Sequence, residues 1–248
     1  MKVDLRHATP LYEAVNGART CYSSQDKSDS IIFEFGIRVD EIGQKDQALL
    51  SKLTEKHHES VIEHVNYTFH VFGPSRATLQ EVARHRTASL SVESSRYVWK
   101  RLKKLALGDG THSIYDWEDN QKEIAKLMVK TDPVLDKIEQ AYVTNLIEAI
   151  SRHNLKPDVF KHKFPESMKT NFVMTINARS LRNFFKQRLP RSAMWEIRKL
   201  AVLMWEQLPP QDMGCLFGDL RSLYERAAQD ITKHSTQALY QGADKTLQ

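Results

Sequence analysis

Residues 64–72 constrain the fold more than any other segment, because their side chains alternate as those of a half-buried β-strand do. The segment is rich in β-branched and aromatic residues, and Gly73, Pro74 and Ser75 follow it as a turn and helix start. A short alternating segment also opens the chain at residues 2–5. Helical periodicity dominates elsewhere and predicts helices over residues 44–57, 75–87, 120–130, 134–153, 177–189, 191–208 and 216–235.

This order of elements predicts an α+β fold, with a small antiparallel sheet packed with several long helices. Residues 101–118 show little periodicity and contain a Gly-Asp-Gly turn, so we predict a loop there. A chain of 248 residues is long enough for one domain with a real core, and we treat residues 1–248 as a single domain.

The composition excludes some classes of protein. Apolar residues make up 41% of the chain and charged residues 27%, which is typical of soluble globular proteins. No run of eighteen apolar residues and no apolar signal region occur, so we expect no membrane partner and a cytoplasmic location. The net charge of +5 suits an anionic small molecule as well as it suits nucleic acid.

Residues 84–97 form the stretch richest in anion-binding groups, with three arginines, one histidine and four serines. Guanidinium groups bind phosphate and carboxylate oxygens through two parallel hydrogen bonds, and serine hydroxyls complete such sites. The alternative is a solvated, charged end of a helix. Against it, Arg84 and Arg86 are two residues apart and cannot share one helix face. We therefore predict a nucleotide site.

Residues 177–188 carry a second set of polar groups, although this stretch taken alone would also suit an amphipathic surface helix. Residues 57–64 contain three histidines and two carboxylates, but Ile62 stands where the zinc pattern H-E-x-x-H needs its second histidine. We predict no metal site. The two cysteines, Cys21 and Cys215, are expected to be small buried side chains.

Three stretches together resemble the signatures of the flavin-dependent thymidylate synthases. The first is Arg-His-Arg followed by seven residues and then serine, at residues 84–94. The second is Asn-x-Arg-Ser-Leu with a further Asn and Arg, at residues 177–188, and the likeness continues over 193–198. The third is His-Glu-Ser-x-x-Glu-His at residues 58–64. The resemblance covers most of the chain, from about Ala18 to Arg198.

The resemblance implies an α+β subunit in a homotetramer, with active sites to which several chains contribute. It implies FAD as cofactor, NADPH and methylenetetrahydrofolate as co-substrates, and a pyrimidine deoxynucleotide, dUMP, as the substrate that is converted to dTMP. It implies neither a nucleic-acid partner nor a cysteine nucleophile.

The resemblance also implies roles for individual residues. Arg188 is the expected catalytic residue, because a guanidinium beside the uracil ring stabilises negative charge on it. The residues expected to bind substrate are Glu81, Arg84, Val92, Glu93, Ser94, Ser95, Arg96, Lys161 and Arg188. The residues expected to bind the cofactor are His58, Ser60, Arg84, His85, Arg86, Val92, Asn177, Arg179 and Asn183.

Four positions depart from the family pattern and keep alternatives open. Val92 stands where many members of the family have Glu or Gln, and Lys161 stands where they have Arg. Glu81 stands in place of a Gln, and Ser192 in place of a His. Since lysine lacks the two-pronged geometry of arginine, the base could differ. One alternative is methylation or hydroxymethylation of dCMP. Others are a non-catalytic relative that binds nucleotide or nucleic acid, and an unrelated helical enzyme with an accidental motif.

Overall fold

A computed structural model describes the backbone of residues 1–30, 42–107, 117–153 and 156–243. Within these ranges the side chains of 105–107, 117–121, 151 and 234–243 are not described. None of the helices searched in these residues is long and apolar enough to cross a membrane.

Four strands in the described ranges form one small antiparallel sheet, which confirms the predicted α+β class. The strands are β1 (Lys2–Ala8), β2 (Asn66–Ser75), β3 (Ser89–Val92) and β4 (Lys169–Asn177). Their spatial order is β1-β2-β4-β3. Strand β2 confirms the predicted alternation, since Tyr67, Phe69 and Val71 are fully buried. The predicted turn at residues 73–75 is wrong, because these residues complete the strand.

Helices make up most of the rest of the described chain. They are α1 (Tyr12–Cys21), α2 (Gln44–Glu55), α3 (Arg76–Ala83), α4 (Ser95–Leu107), α5 (Trp117–Lys126), α6 (Pro133–His153), α7 (Pro157–Lys161), α8 (Ala178–Arg188), α9 (Trp195–Glu206), α10 (Pro210–Phe217) and α11 (Arg221–Ala243). Short 3-10 segments lie at Gln25–Lys27, Glu59–His64 and Gly218–Leu220.

The prediction of a loop over residues 101–118 is wrong for residues 101–107, which continue α4, and for residues 117–118, which begin α5. Val98, Trp99 and Leu102 bury one face of that helix, and this packing stabilises a stretch whose own periodicity is weak. Residues 108–116 lie outside the described residues. The helix predicted over 216–235 is interrupted, because α10 ends at Phe217 and a 3-10 turn precedes α11.

The chain divides into two compact units. The first comprises residues 1–71, 82–90 and 173–248. Its core contains aromatic side chains of α8, α9 and α10, where Phe185 lies 5.2 Å from Trp205 and 5.6 Å from Phe217 between ring centroids. That residues 1–248 work as a single domain stays a prediction.

The second unit comprises residues 72–81 and 91–172 and has a core of its own. The ring of Trp99 on α4 packs 5.0 Å from that of Phe160 on α7. Met168, Val143 and Leu102 belong to the same buried cluster.

A buried carboxylate in the first unit fixes the chain on both sides of residues 31–41. Asp46 is fully buried and accepts hydrogen bonds from Arg19 at 2.6 and 3.0 Å, from Ser28 Oγ at 2.6 Å and from Ser30 Oγ at 2.5 Å. Burial opposes ionisation, but these hydrogen bonds outweigh it and lower the pKa of Asp46. Ser30 Oγ also accepts a hydrogen bond of 3.2 Å from the backbone N–H of Gly43.

A second buried carboxylate, Asp212 on α10, has a raised pKa, whereas that of Asp46 is lowered. Tyr67 Oη donates to Asp212 Oδ2 at 2.7 Å, and both residues are buried. Burial raises the pKa of Asp212 to about 6, although the hydrogen bond from Tyr67 opposes the rise. Folding therefore favours the protonated carboxyl group.

The Asp212→Asn variant should reveal this proton in the pH dependence of stability. The pKa of Asp212 in the folded protein lies above the ordinary aspartate value of 3.8, so its contribution to stability is greatest below pH 4 and is lost as the pH rises through about 6. A shift of this size corresponds to about 3 kcal/mol. We compare the free energy of unfolding of Asp212→Asn with that of the wild type. Between pH 4 and pH 7 this difference should shift by about that amount in favour of the variant. Urea unfolding at several pH values measures it, and a constant difference would contradict the assignment.

Candidate functional site

The start of α8 explains one of the predicted cofactor residues by local structure. Asn177 is the N-cap of the helix, and its Oδ1 accepts a hydrogen bond of 2.8 Å from the backbone N–H of Ser180. The next backbone N–H, that of Ala178, donates to the carbonyl oxygen of Val65 at 2.8 Å. Asparagine is among the best N-cap residues because its side chain satisfies a helix N–H that has no partner within the helix.

Helix α8 is joined to the 3-10 segment Glu59–His64 by Arg182, whose side chain is completely buried. Its Nε donates to Glu59 Oε1 at 3.0 Å. Its Nη1 and Nη2 donate to the two carboxylate oxygens of Asp219 at 2.7 and 2.8 Å. Nη1 also donates to the carbonyl oxygen of Leu216. Burial raises the pKa of Asp219, but the hydrogen bonds and charge of Arg182 outweigh it and lower the pKa overall.

This ion-pair network brings predicted cofactor residues together from two remote parts of the chain. His58 and Ser60 flank Glu59, and both are exposed. Arg179 and Asn183 are exposed on α8. Arg179 Nη1 lies 2.5 Å from Glu63 Oε1, so the 3-10 segment and α8 are connected at the surface as well as in the core.

The predicted catalytic residue touches one of the predicted cofactor residues. Arg188 is the last residue of α8, and its Nε donates to His85 Nε2 at 2.9 Å. An imidazole nitrogen that accepts a hydrogen bond carries no proton, so this geometry requires neutral His85 with its proton on Nδ1. His85 is buried, and its ring lies edge-on to that of Phe184 at 4.8 Å. The neighbours of His85 in the sequence, Arg84 and Arg86, are exposed.

In the second unit, the predicted phosphate-binding residues lie where β3 ends and α4 begins. After α3 ends at Ala83, residues 84–88 form a loop that leads into β3, and α4 begins at Ser95. Ser94 Oγ accepts a hydrogen bond of 3.3 Å from the backbone N–H of Arg96, as an N-cap residue does. The backbone N–H groups of a helix start and the positive end of its dipole favour an anion.

One other predicted substrate residue, Glu93, is engaged with the protein itself. Glu93 Oε2 accepts a hydrogen bond of 2.8 Å from Asn171 Nδ2, and Glu93 Oε1 pairs with Arg101. Asn171 Oδ1 in turn accepts from the backbone N–H of Gly73 at 3.0 Å, where Gly73 has a φ of 71°. Glu93 therefore positions the start of α4 through Asn171.

The remaining predicted substrate residues are at least partly exposed. Val92 ends β3 with 42% of its surface exposed, and Glu81 on α3 is half-buried. Lys161 ends α7 and is exposed. Arg96 Nη2 lies 3.6 Å from Asp158 Oδ1 on the same helix as Lys161, so α7 and the start of α4 are neighbours within the second unit.

The cysteines differ from each other. Cys215 is buried as predicted, whereas the prediction for Cys21 is wrong because it is exposed at the end of α1. Burial, and then the charge of Asp212, raises the pKa of Cys215 to about 11. In the part of the chain that was searched, no three His, Cys, Asp or Glu side chains are placed to hold a metal ion.

Sequence reasoning missed Arg182 and Glu59, which assemble this region. The sequence does contain a sign of the buried role of Arg182. Residue 182 lies one helical turn from both Ala178 and Phe185 and therefore shares the apolar face of α8. A charged residue there requires buried partners. The partners themselves lie 123 and 37 residues away, and no local pattern indicates them.

Residues 5–211 match the family model described as thymidylate synthase complementing protein. The flavin-dependent thymidylate synthase of Campylobacter jejuni strain RM1221 is 38% identical over 212 residues, which cover 85% of this chain and 93% of the relative. The chain belongs to the flavin-dependent thymidylate synthase family. The enzyme of that name from Wolinella succinogenes is also 38% identical, with 85% of this chain and 95% of the relative covered.

Solved structures of flavin-dependent thymidylate synthases have the same fold. A crystal structure of thymidylate synthase X from Helicobacter pylori with FAD and dUMP superimposes with a TM-score of 0.74 at 34% identity. It covers 87% of this chain and 97% of the other. A second structure from that organism, also with FAD and dUMP, gives a TM-score of 0.72. The predicted family and enzyme class are thereby confirmed.

Asn177 caps helix α8 and is also predicted to contact the cofactor. Two substitutions can separate these roles. Asn177→Ala should lower the free energy of unfolding by about 1 kcal/mol because the cap is lost. Asn177→Asp keeps a capping oxygen, so its stability should stay near that of the wild type. If the amide N–H groups contact FAD, however, the aspartate variant should still bind FAD more weakly. Thermal unfolding and flavin titration measure the two effects, and unchanged FAD affinity in Asn177→Asp would leave Asn177 only its capping role.

Proposed function

We propose that this chain binds FAD and dUMP and converts dUMP to dTMP by reductive methylation at carbon 5, with methylenetetrahydrofolate as carbon donor and NADPH as reductant. The observation that carries the proposal is the hydrogen bond of 2.9 Å between Arg188 Nε and His85 Nε2. It joins the end of the second signature stretch to the middle of the first. The FAD and dUMP in the Helicobacter pylori structure support the choice of ligands.

Arg188 would act on the pyrimidine ring. Carbon 5 of uracil is a weak nucleophile, and it becomes stronger when negative charge on the N3–C4–O4 edge is stabilised. The hydrogen bond from Nε fixes the plane of the guanidinium group. Nη1 and Nη2 are then the atoms that would form two parallel hydrogen bonds to the edge of the pyrimidine ring. Since neutral His85 accepts this hydrogen bond, it orients Arg188 without neutralising its charge.

The surface formed by the 3-10 segment Glu59–His64 and α8 has a donor set that suits FAD. Arg179 is exposed over 54% of its side chain and can turn its guanidinium to a pyrophosphate, while Ser60 and Asn183 offer a hydroxyl and an amide. Together with His58, His85, Arg86 and Asn177, these side chains would hold the cofactor. When bound, the flavin supplies the hydride, and the protein supplies binding and orientation.

The start of α4 would hold the phosphate of the nucleotide. The helix N-terminus offers backbone N–H groups, and Ser94, Ser95 and Arg96 add hydroxyl and guanidinium donors. Arg84, in the first unit, is exposed and is also expected to bind the nucleotide. Glu93 would contribute by positioning, since both of its carboxylate oxygens already bind protein side chains.

The state of Cys215 supports a reaction without a cysteine nucleophile. A thiol attacks as its thiolate, and active cysteines accordingly have lowered pKa values. The pKa of Cys215 is instead raised to about 11 by burial, so the group is protonated at neutral pH.

The exposure of the cofactor residues supports an assembly in which several chains complete each site. Arg84, Arg86, Arg179 and Ser60 are all exposed in the single chain. We propose a homotetramer in the cytoplasm, in which residues 1–248 act as one domain.

An anaerobic spectrum tests the proposal. We expect the purified protein to be yellow, NADPH to bleach it, and methylenetetrahydrofolate with dUMP to restore the colour with formation of dTMP. A colourless protein that takes up no added FAD would overturn the proposal. A bleached protein that forms no product with any pyrimidine nucleotide would indicate a non-catalytic relative, and steep weakening of its ligand binding by salt would then point to nucleic acid.

The exposed Val92 favours one second candidate, a change of base. An apolar side chain, 42% exposed, stands at a position expected to read the base, and the expected arginine is Lys161. A cytosine presents an amino group where uracil presents an oxygen. Recovery of the flavin colour with dCMP but not with dUMP would establish this alternative, whereas ordinary turnover of dUMP would exclude it.

A further inference from the structure

A cleft of about 430 Å³ lies in the first unit, between the residues that follow α8 and helix α11. Its apolar wall includes Leu189, Leu223 and Ala227. Its polar side includes Arg191, Arg226, Asp230 and Lys233. None of the residues predicted to bind dUMP or FAD lines this cleft.

The cleft contains more positive than negative charge. Asp230 accepts hydrogen bonds from Arg191 Nε at 2.6 Å and Nη2 at 2.5 Å, and Arg198 Nη2 lies 3.4 Å away. The hydrogen bonds from Arg191 lower the pKa of Asp230, and the charges of Arg198 and Lys233 lower it further. Among the described residues of the cleft, one carboxylate therefore interacts with three cations, and Arg226 is a fourth cation in the lining.

The buried guanidinium of Arg198 allows the ion pairs to rearrange. Arg198 is 5% exposed, and its buried Nε has no hydrogen-bond partner among the described residues. Arg191, by contrast, is exposed over 81% of its side chain. If Arg191 turns toward an incoming anion, Arg198 can take over Asp230, so the carboxylate need not be left without a partner.

We propose that this cleft binds a phosphomonoester, with the phosphate at Arg191, Arg226 and Lys233 and the organic part on the wall formed by Leu189, Leu223 and Ala227. Arginine and lysine bind phosphate oxygens through charge-assisted hydrogen bonds, and the volume exceeds what a bare phosphate needs. The site is separate from the proposed dUMP and FAD contacts and does not depend on the proposed reaction.

Calorimetric titration of the flavin-loaded protein with phenyl phosphate tests the site. dUMP is left out of the titration, because it is itself a phosphomonoester and would compete for the cleft. Arg226→Gln removes one phosphate contact, and we expect it to weaken binding of phenyl phosphate about tenfold or more. Arg221→Gln is the matched control, because it removes the same charge from the same helix outside the cleft and should change the affinity less than about twofold. Thermal unfolding and flavin absorbance establish that both variants are folded.

Two results would overturn the proposal: no binding of phenyl phosphate to the wild type, or equal losses in the Arg226 and Arg221 variants. Inorganic phosphate serves as the second probe. If inorganic phosphate binds more weakly than phenyl phosphate, the apolar wall contributes to binding. Equal affinity for the two probes would contradict a contact between the organic group and the apolar wall. Because the readout is the difference between two variants outside the proposed active site, its failure is distinct from a failure to convert dUMP.

Discussion

Arg188→Ala is expected to lower the rate of dUMP conversion by about 10²–10³-fold, because loss of one preorganised group that stabilises developing charge commonly has an effect of this size. The yellow colour should remain, since the exposed donors on α8 and the 3-10 segment Glu59–His64 are unchanged. Single-turnover measurements with prereduced protein separate this step from reduction by NADPH.

Arg188→Lys is the informative control for this prediction. Lysine keeps the positive charge but loses the side-by-side geometry of the guanidinium, so we expect only partial recovery of the rate. A rate close to that of the wild type in Arg188→Ala would refute the catalytic role. A full loss of FAD in the same variant would instead make Arg188 a cofactor residue.

Arg182→Ala is expected to lower the free energy of unfolding by about 3–5 kcal/mol, which is the usual effect of removing one partner from a buried ion pair. The side chain is completely buried, and its loss leaves Glu59 without its 3.0 Å contact and Asp219 without its two hydrogen bonds. Because His58 and Ser60 flank Glu59, we also expect weaker FAD binding. Urea unfolding and flavin titration measure the two effects.

Arg221→Ala provides the matched comparison for stability. Arg221 is 77% exposed and pairs with Glu225 at 3.2 Å, an exposed pair of the kind that contributes about 0–1 kcal/mol. Similar losses in the two variants would show that the buried network around Arg182 contributes no more than a surface ion pair. An Arg182→Ala variant that retains both stability and FAD affinity would contradict the assembling role of Arg182.

Local patterns predicted much of the secondary structure and failed where distant residues decide it. The alternation of residues 64–72 predicted β2 because a sheet with one buried face imposes the same period. Strand β4, which was not predicted, shows the same alternation, since its buried residues are Thr170, Phe172, Met174 and Ile176. Helix α4 escaped prediction because packing in the core of the second unit stabilises it.

The candidate site could be predicted by residue type but not by contact. The signature stretches identified Arg188 and His85 separately, and only the fold brings them to 2.9 Å across 103 residues of chain. The roles of Asn177 as a helix cap and Glu93 as a partner of Asn171 also depend on the fold. A signature records which residues matter, but it does not distinguish a ligand contact from a structural one.

The hydrogen bonds around Asp46 make Ser28 and Ser30 unsuitable points for attaching other molecules to this protein. Ser28 Oγ and Ser30 Oγ donate to Asp46 Oδ2 at 2.6 and 2.5 Å, and Ser30 Oγ also accepts from the backbone N–H of Gly43 at 3.2 Å. A phosphoryl group or a chemical label on either hydroxyl removes a hydrogen bond from a buried carboxylate. Modification of either serine should therefore lower the thermal midpoint of the protein.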